Sequence, residues 1–186
     1  FPIWTHEASG SPKITSTAIS EDGNFSAVGY DNGGLKLFGR SNSTPLWSYG
    51  EIDDDITSVS LSANGSYLAV VSDDEHLYLF SRENSTPLWS HDAGANLVTV
   101  AISADGEYIA IGGKNKKVSL FERSDDEPLW TTVILSGYVD AVAISENGTH
   151  IVVGARSGGG GRKERERERE RKRREREKEK ERERER

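Results

Sequence analysis

The stretch Ile56–His91, ITSVSLSANGSYLAVVSDDEHLYLFSRENSTPLWSH, contains a complete structural sentence. ITSVSLS alternates, with Thr57, Val59 and Leu61 on one side and Ile56, Ser58 and Ser60 on the other, which is the period of a strand. ANGS then supplies an Asn-Gly turn, a strong short hairpin signal. SYLAVVS reads as a second strand, rich in β-branched and apolar residues. SDDE turns the chain, HLYLFSR is a third strand, ENST turns it again, and PLWSH is a fourth. Pro87 stands at the first position of that strand, where it gives up only one ladder hydrogen bond.

The same sentence recurs. Trp4, Trp47, Trp89 and Trp130 are spaced by 43, 42 and 41 residues. A second marker, the glycine of the turns EDGN, ANGS, ADGE and ENGT, falls at Gly23, Gly65, Gly106 and Gly148, spaced by 42, 41 and 42. Two independent markers with one period define a repeat of about 42 residues, and no helical periodicity appears in residues 1–157. The first strands carry apolar or small residues on both faces. Val98, Val100 and Ile102 oppose Thr99 and Ala101, and Val142 and Ile144 oppose Ala141 and Ala143. Such strands are covered on both sides, as sheets stacked around an axis require.

Four strands in a repeat of 40–45 residues predict an all-β chain, a β-propeller arc of four-stranded antiparallel blades. A long β-sandwich is the alternative. The blades fall at about 14–49, 56–91 and 97–133, with a partial blade at 139–154. This makes about three and a half blades, whereas closed rings have about four to eight. The sequence therefore predicts a fragment of a larger propeller, with a self-associating ring as the alternative. The chain begins at Phe1, inside a copy of the tryptophan phrase, so the sequence leaves targeting open.

Ile14–Phe38, ITSTAISEDGNFSAVGYDNGGLKLF, resembles the first three strands of a WD-repeat blade. The shared parts are a small/apolar strand ending in Ser, an Asp-Gly turn, an Ala-Val-Gly strand and an apolar strand closing on an aromatic. Phe-Gly, Phe-Ser and Phe-Glu stand where the family has Trp-Asp. LFSRENSTPLW resembles the tryptophan-docking motif of quinoprotein-like propellers, with Phe38 to Trp47, Phe80 to Trp89 and Phe121 to Trp130 each nine residues apart. The resemblance implies that each PLW is an outer strand whose Trp packs on the next blade. The four tryptophans and the four turn glycines are accordingly structural positions.

Residues 1–157 hold 9 Lys/Arg against 21 Asp/Glu, a net of −12, and residues 158–186 hold 15 against 10, a net of +5. An acidic surface disfavours nucleic acid, whose phosphates need Lys and Arg to displace counterions. There is no cysteine, which excludes thiolate chemistry and Cys-ligated zinc. No apolar run is long enough to span a membrane. Residues 158–161 read as a glycine linker. Residues 162–186 contain only Glu, Arg and Lys, so this tail has nothing to bury and reads as solvated helix or disorder. Three origins fit it: a mixed-charge segment that binds RNA or its own kind, a spacer, or a translated GA-repeat tract.

Acidic clusters at Asp53–Asp55, Asp73–Glu75 and Asp125–Glu127 occupy different points of the repeat and lack calcium-loop spacing. His6, His76, His91 and His150 lie at no metal-ligand or catalytic spacing. The sequence assigns no catalytic, cofactor-binding or metal-ligating residue. Five sequons, at Asn24, Asn42, Asn64, Asn84 and Asn147, lean toward a secreted or cell-surface protein, although turns favour Asn, Ser and Thr on their own account. The functional expectation is a non-catalytic scaffold for a protein or glycan partner, without a cofactor. The alternative implied by the second resemblance is part of a quinoprotein-like dehydrogenase.

Overall fold

The computed structural model describes residues 3–134 and 137–157. The glycine linker and the charged tail expected at 158–186 lie outside the described residues. Every regular element among those described is a strand. β1 (Ile14–Ile19), β2 (Phe25–Tyr30), β3 (Leu35–Gly39) and β4 (Pro45–Tyr49) form one antiparallel sheet in chain order. β5 (Ile56–Leu61), β6 (Tyr67–Ser72), β7 (His76–Ser81) and β8 (Pro87–Asp92) form a second, and β9 (Leu97–Ile102), β10 (Tyr108–Gly113), β11 (Lys117–Glu122) and β12 (Pro128–Val133) a third. β13 (Gly137–Ile144) and β14 (Ile151–Ser157) make a two-stranded sheet. The molecule is a β-propeller arc of three full blades and part of a fourth.

The first strands β1, β5, β9 and β13 lie side by side, each touching the next, and so form the inner edge of the arc. The second strands β6 and β10 are almost wholly buried, while β4 and β8 alternate between half-buried and exposed positions and β12 is exposed after Pro128. The sheets are thus dry near the axis and wet at the rim. Each fourth strand begins with its proline, and the ladder shifts register there. Pro45 pairs Phe38, Pro87 pairs Phe80 and Pro128 pairs Phe121, each beside an irregularity. The missing N–H falls where the ladder is already interrupted.

The apolar core lies between sheets. Leu35, Leu37 and Ala27 of the first blade meet Ile56, Val59, Leu68 and Phe80 of the second. Ala69, Leu77 and Leu79 of the second meet Leu97, Val100, Ile109 and Phe121 of the third. Close approach uses a glycine on the second strand of the first and third blades. A Cβ at Gly112 would stand within 2.2 Å of Val139 Cγ1, so the fourth blade seats its first strand there only because Gly112 has no side chain. The inner strands also exchange polar contacts. Val59 N–H donates to Ser16 Oγ, Ile102 N–H to Ser60 Oγ and Val142 N–H to Thr99 Oγ1. The small polar residues of the first strands thereby receive edge N–H groups of the following blade, which would otherwise be buried without partners.

Candidate functional site

The four turn glycines sit in one repeated device. Each turn reads Ser-x-Asx-Gly, at Ser20–Gly23, Ser62–Gly65, Ser103–Gly106 and Ser145–Gly148. The serine Oγ donates to the Asx side chain and accepts the backbone N–H five residues on, from Phe25, Tyr67, Tyr108 and His150. The glycine N–H returns to the serine carbonyl at 2.9 Å in all four copies. These glycines have φ of 67°, 66°, 75° and 72°, a left-handed conformation that side chains resist. Three of them also pack on an aromatic ring of the preceding blade. A Cβ at Gly65, Gly106 or Gly148 would meet Phe25, Tyr67 or Tyr108 at 2.6 Å or less. Gly23, at the end of the arc, has no atom within 4 Å of that position. The residue after each serine continues the chain of contacts: Glu21 N–H donates to Ala63 O, Ala63 to Ala104 and Ala104 to Glu146, at 2.9–3.0 Å.

The tryptophans lie at the rim, across the same junctions. Trp4 Nε1 donates to Arg40 O at 2.8 Å, Trp47 Nε1 to Arg82 O at 2.9 Å and Trp89 Nε1 to Arg123 O at 2.7 Å. Their rings lie 5.5, 5.6 and 6.0 Å from Phe38, Phe80 and Phe121. A tryptophan on one outer strand therefore touches the third strand of the next blade and the turn that follows it. Trp130 differs, being 41% exposed. The sheet beyond it has two described strands and supplies no phenylalanine at that place.

Sequence reasoning missed the arginines. Arg82 lies 4.5 Å over the Phe25 ring and Arg123 lies 4.4 Å over the Tyr67 ring. Each of those rings is thus held between a guanidinium and a turn glycine of the next blade, while the same arginine's carbonyl takes the tryptophan N–H. Arg123 also pairs with Glu107 at 2.7 Å. The signal was present as Phe-x-Arg at Arg40, Arg82 and Arg123, spaced by 42 and 41.

Several carboxylates of the acidic clusters are held by hydrogen bonds, some within a turn and some from the next blade. Asp74 accepts His76 N–H and the Tyr78 hydroxyl, Asp73 accepts Asn96 Nδ2 and Lys114 Nζ, and Asp125 accepts Glu127 N–H. The Asp74 bond follows burial as the second cause that pushes the Tyr78 phenol above its ordinary range. Among the described residues no three His, Cys, Asp or Glu converge as a metal site. Four of the five sequon asparagines accept, through Oδ1, the N–H two residues on, at Thr44, Ser66, Thr86 and Thr149. Turn geometry alone thus accounts for an Asn followed by Ser or Thr at this spacing.

The junction between the second and third blades is not filled. The residue two beyond each tryptophan sits edge-on to the next blade's phenylalanine: His6 at 4.9 Å from Phe38, Tyr49 at 5.1 Å from Phe80 and His91 at 4.8 Å from Phe121. Facing it on the third strand are Lys36, Tyr78 and Ser119 in turn. Lys36 Nζ reaches His6 Nε2 at 3.0 Å, and Tyr78 stacks at 6.4 Å from Phe80. Ser119 is too short to do either, and bonds Thr131 across the strand at 2.8 Å instead. A cavity of about 230 Å³ remains, lined by His91, Asp92, Asn115, Lys117, Ser119 and Thr131 among others.

Against known proteins, residues 43–81 match the family model described as "WD domain, G-beta repeat". The chain is a β-propeller repeat protein. A chain of the solved structure described as "Crystal Structure of Mitotic Checkpoint Complex" has a similar fold, with a TM-score of 0.72 and 20% identity. The match covers 80% of this chain and 48% of that one, so this propeller arc spans about half the other chain's length. No curated protein matches in sequence. The matched residues 43–81 contain β4, β5, β6 and β7, so the sequence repeat is offset from the blade. It joins the outer strand of one propeller blade to the three inner strands of the next, and places Trp47 and Phe80 in one unit.

Proposed function

We propose that this chain is a sector of a propeller scaffold that binds protein partners without catalysing a reaction. The fold carries the reading, since a propeller aligns loops from successive blades on common faces where an extended partner can touch several at once. The match to a chain from a structure described as a complex supports a partner that is itself a protein. The chemistry of the described surface supports the same reading. Carboxylates such as Asp22 and Asp105 cap turns, and His6 and His91 sit edge-on to phenylalanines.

In the working assembly the two end faces of the arc are covered by further blades. Ile14 and Ile19, at 55% and 68% exposed, occupy the inner-strand places where Ile56 and Ile102 are 0% and 8% exposed. Quantitative affinity capture with the full chain tests the scaffold reading, with the Trp89→Ala variant as a destabilised control. The expected result is a defined protein retained in stoichiometric amount by the native fold alone. Turnover of an alcohol in the presence of added quinone and calcium, with no protein retained, would overturn it in favour of the dehydrogenase alternative.

A further inference from the structure

We propose that the cavity between the second and third blades is a socket for a tyrosine side chain presented by a protein partner. The chain's own repetition carries the argument. At the junction between the first and second blades the corresponding space is occupied by Tyr78. Its ring stacks beside Phe80 at 6.4 Å and on His76 at 5.8 Å, and its hydroxyl reaches Asp74 at 2.7 Å. Tyr49 closes that space from the neighbouring blade, edge-on to the same phenylalanine.

The backbone positions that surround this tyrosine recur at the next junction with altered side chains, and the tyrosine does not. Phe121 replaces Phe80 and His91 replaces Tyr49, with nearly the same ring geometry: 4.8 Å and 64° against 5.1 Å and 67°. Lys117 stands for His76 and offers a cation toward the face of an incoming ring. Asn115 stands for Asp74. Its Oδ1 accepts Lys117 N–H at 3.0 Å, as Asp74 Oδ1 accepts His76 N–H at 3.0 Å. Where the second carboxylate oxygen of Asp74 takes the Tyr78 hydroxyl, Asn115 has Nδ2, whose contact to Ala93 O is long at 3.5 Å. That amide donates to a phenol oxygen, which accepts as readily as it donates. The hole of about 230 Å³ has room for a ring, and its lining is mostly polar, with Asp92 as well as Asn115 able to meet a phenol hydroxyl.

The socket rests on the protein-partner reading above, but its test does not. Titrate the full chain with p-cresol, the tyrosine side chain alone, and follow the His91 ring resonances by NMR. Binding near 1 mM is expected, which is the range of a fragment of this size. Toluene should bind about tenfold more weakly, the worth of one hydrogen bond. Ser119→Tyr reproduces the second blade's filling and should abolish the titration. Ser119→Lys, which reproduces the Lys36–His6 pair of the first junction, should do the same and keeps the test valid if the tyrosine variant misfolds. No p-cresol binding by the native chain overturns the socket. So does p-cresol binding that neither substitution weakens, or toluene binding as tight as that of p-cresol. A socket that fails while a protein partner is still captured leaves the scaffold standing. A socket that works while no protein is captured overturns the scaffold alone.

Discussion

At the residue scale, the turn glycines separate two costs that usually come together. Gly23→Ala meets only the positive φ, since no atom lies within 4 Å of the new methyl. Its expected cost is about 1 kcal/mol. Gly106→Ala meets the same strain and also drives a methyl to 2.6 Å from the Tyr67 ring. Urea unfolding should show it at least about 1 kcal/mol worse than Gly23→Ala, as overpacking requires. The serine-Asx bond makes a second residue-level prediction. Asp22 and Asp105 are held below the ordinary carboxylate range, first by the Ser20 and Ser103 hydroxyls and then by the Asn24 and Glu107 N–H groups. A depressed folded pKa contributes stability that is present above the unfolded value and lost as pH falls through the folded one. Stability should therefore decline below about pH 4. Ser103→Ala should raise the Asp105 midpoint in a carboxylate NMR titration. Asn64 and Asn147 fill the same place without a titrating group, so the acid effect is confined to the first and third blades. The glycines were legible in the sequence because their spacing is regular. The second role of Gly65, Gly106 and Gly148 was not, because the ring each of these touches lies about 40 residues away.

At the scale of the element, the outer strand is the informative one. Trp89 crosses to Phe121 and the Arg123 carbonyl, whereas Trp130 is exposed. We expect Trp89→Ala to cost about 3–5 kcal/mol, as truncation of a packed aromatic does. Trp130→Ala should cost under about 1 kcal/mol. Chemical denaturation of both variants checks the pair, and equal losses would contradict the junction role. The PLW phrase and its period revealed these strands. The sequence could not show that copies of one phrase have unequal surroundings, because burial depends on what the neighbouring sheet supplies. The first strands tell the same story. Ser60 and Thr99 read as small residues on strands covered on both sides, and Ser16 stands at the corresponding place. In the fold they are also acceptors for the next blade's N–H groups, a role set by the edge that comes to lie beside them.

At the scale of the whole molecule, the arc has two ends. Ile14 and Ile19 mark one and Trp130 lies toward the other, all exposed where equivalents within the arc are covered. Ile14→Lys with Ile19→Lys should leave the unfolding midpoint within about 0.5 kcal/mol of the native chain, since exposed positions contribute little. The same change should reduce binding of an environment-sensitive apolar dye and any concentration-dependent association seen by sedimentation. A large loss of stability would show that this face is covered in solution.

The amino-acid sequence by itself determined the strand count, the repeat and the places of the turns. These follow from a period of two, from Gly, Asn and Pro at fixed offsets, and from regular spacing, all of which are local. The tertiary structure alone decided what each repeat does with its variable positions. It set Arg82 and Arg123 over aromatic rings, used Asp74 and Asp125 as turn caps, and left a cavity where Ser119 stands in place of a lysine or a tyrosine. The arginine placements and the cavity depend on residues of neighbouring blades that are far apart in the chain. The contacts between them exist only once the sheets are stacked.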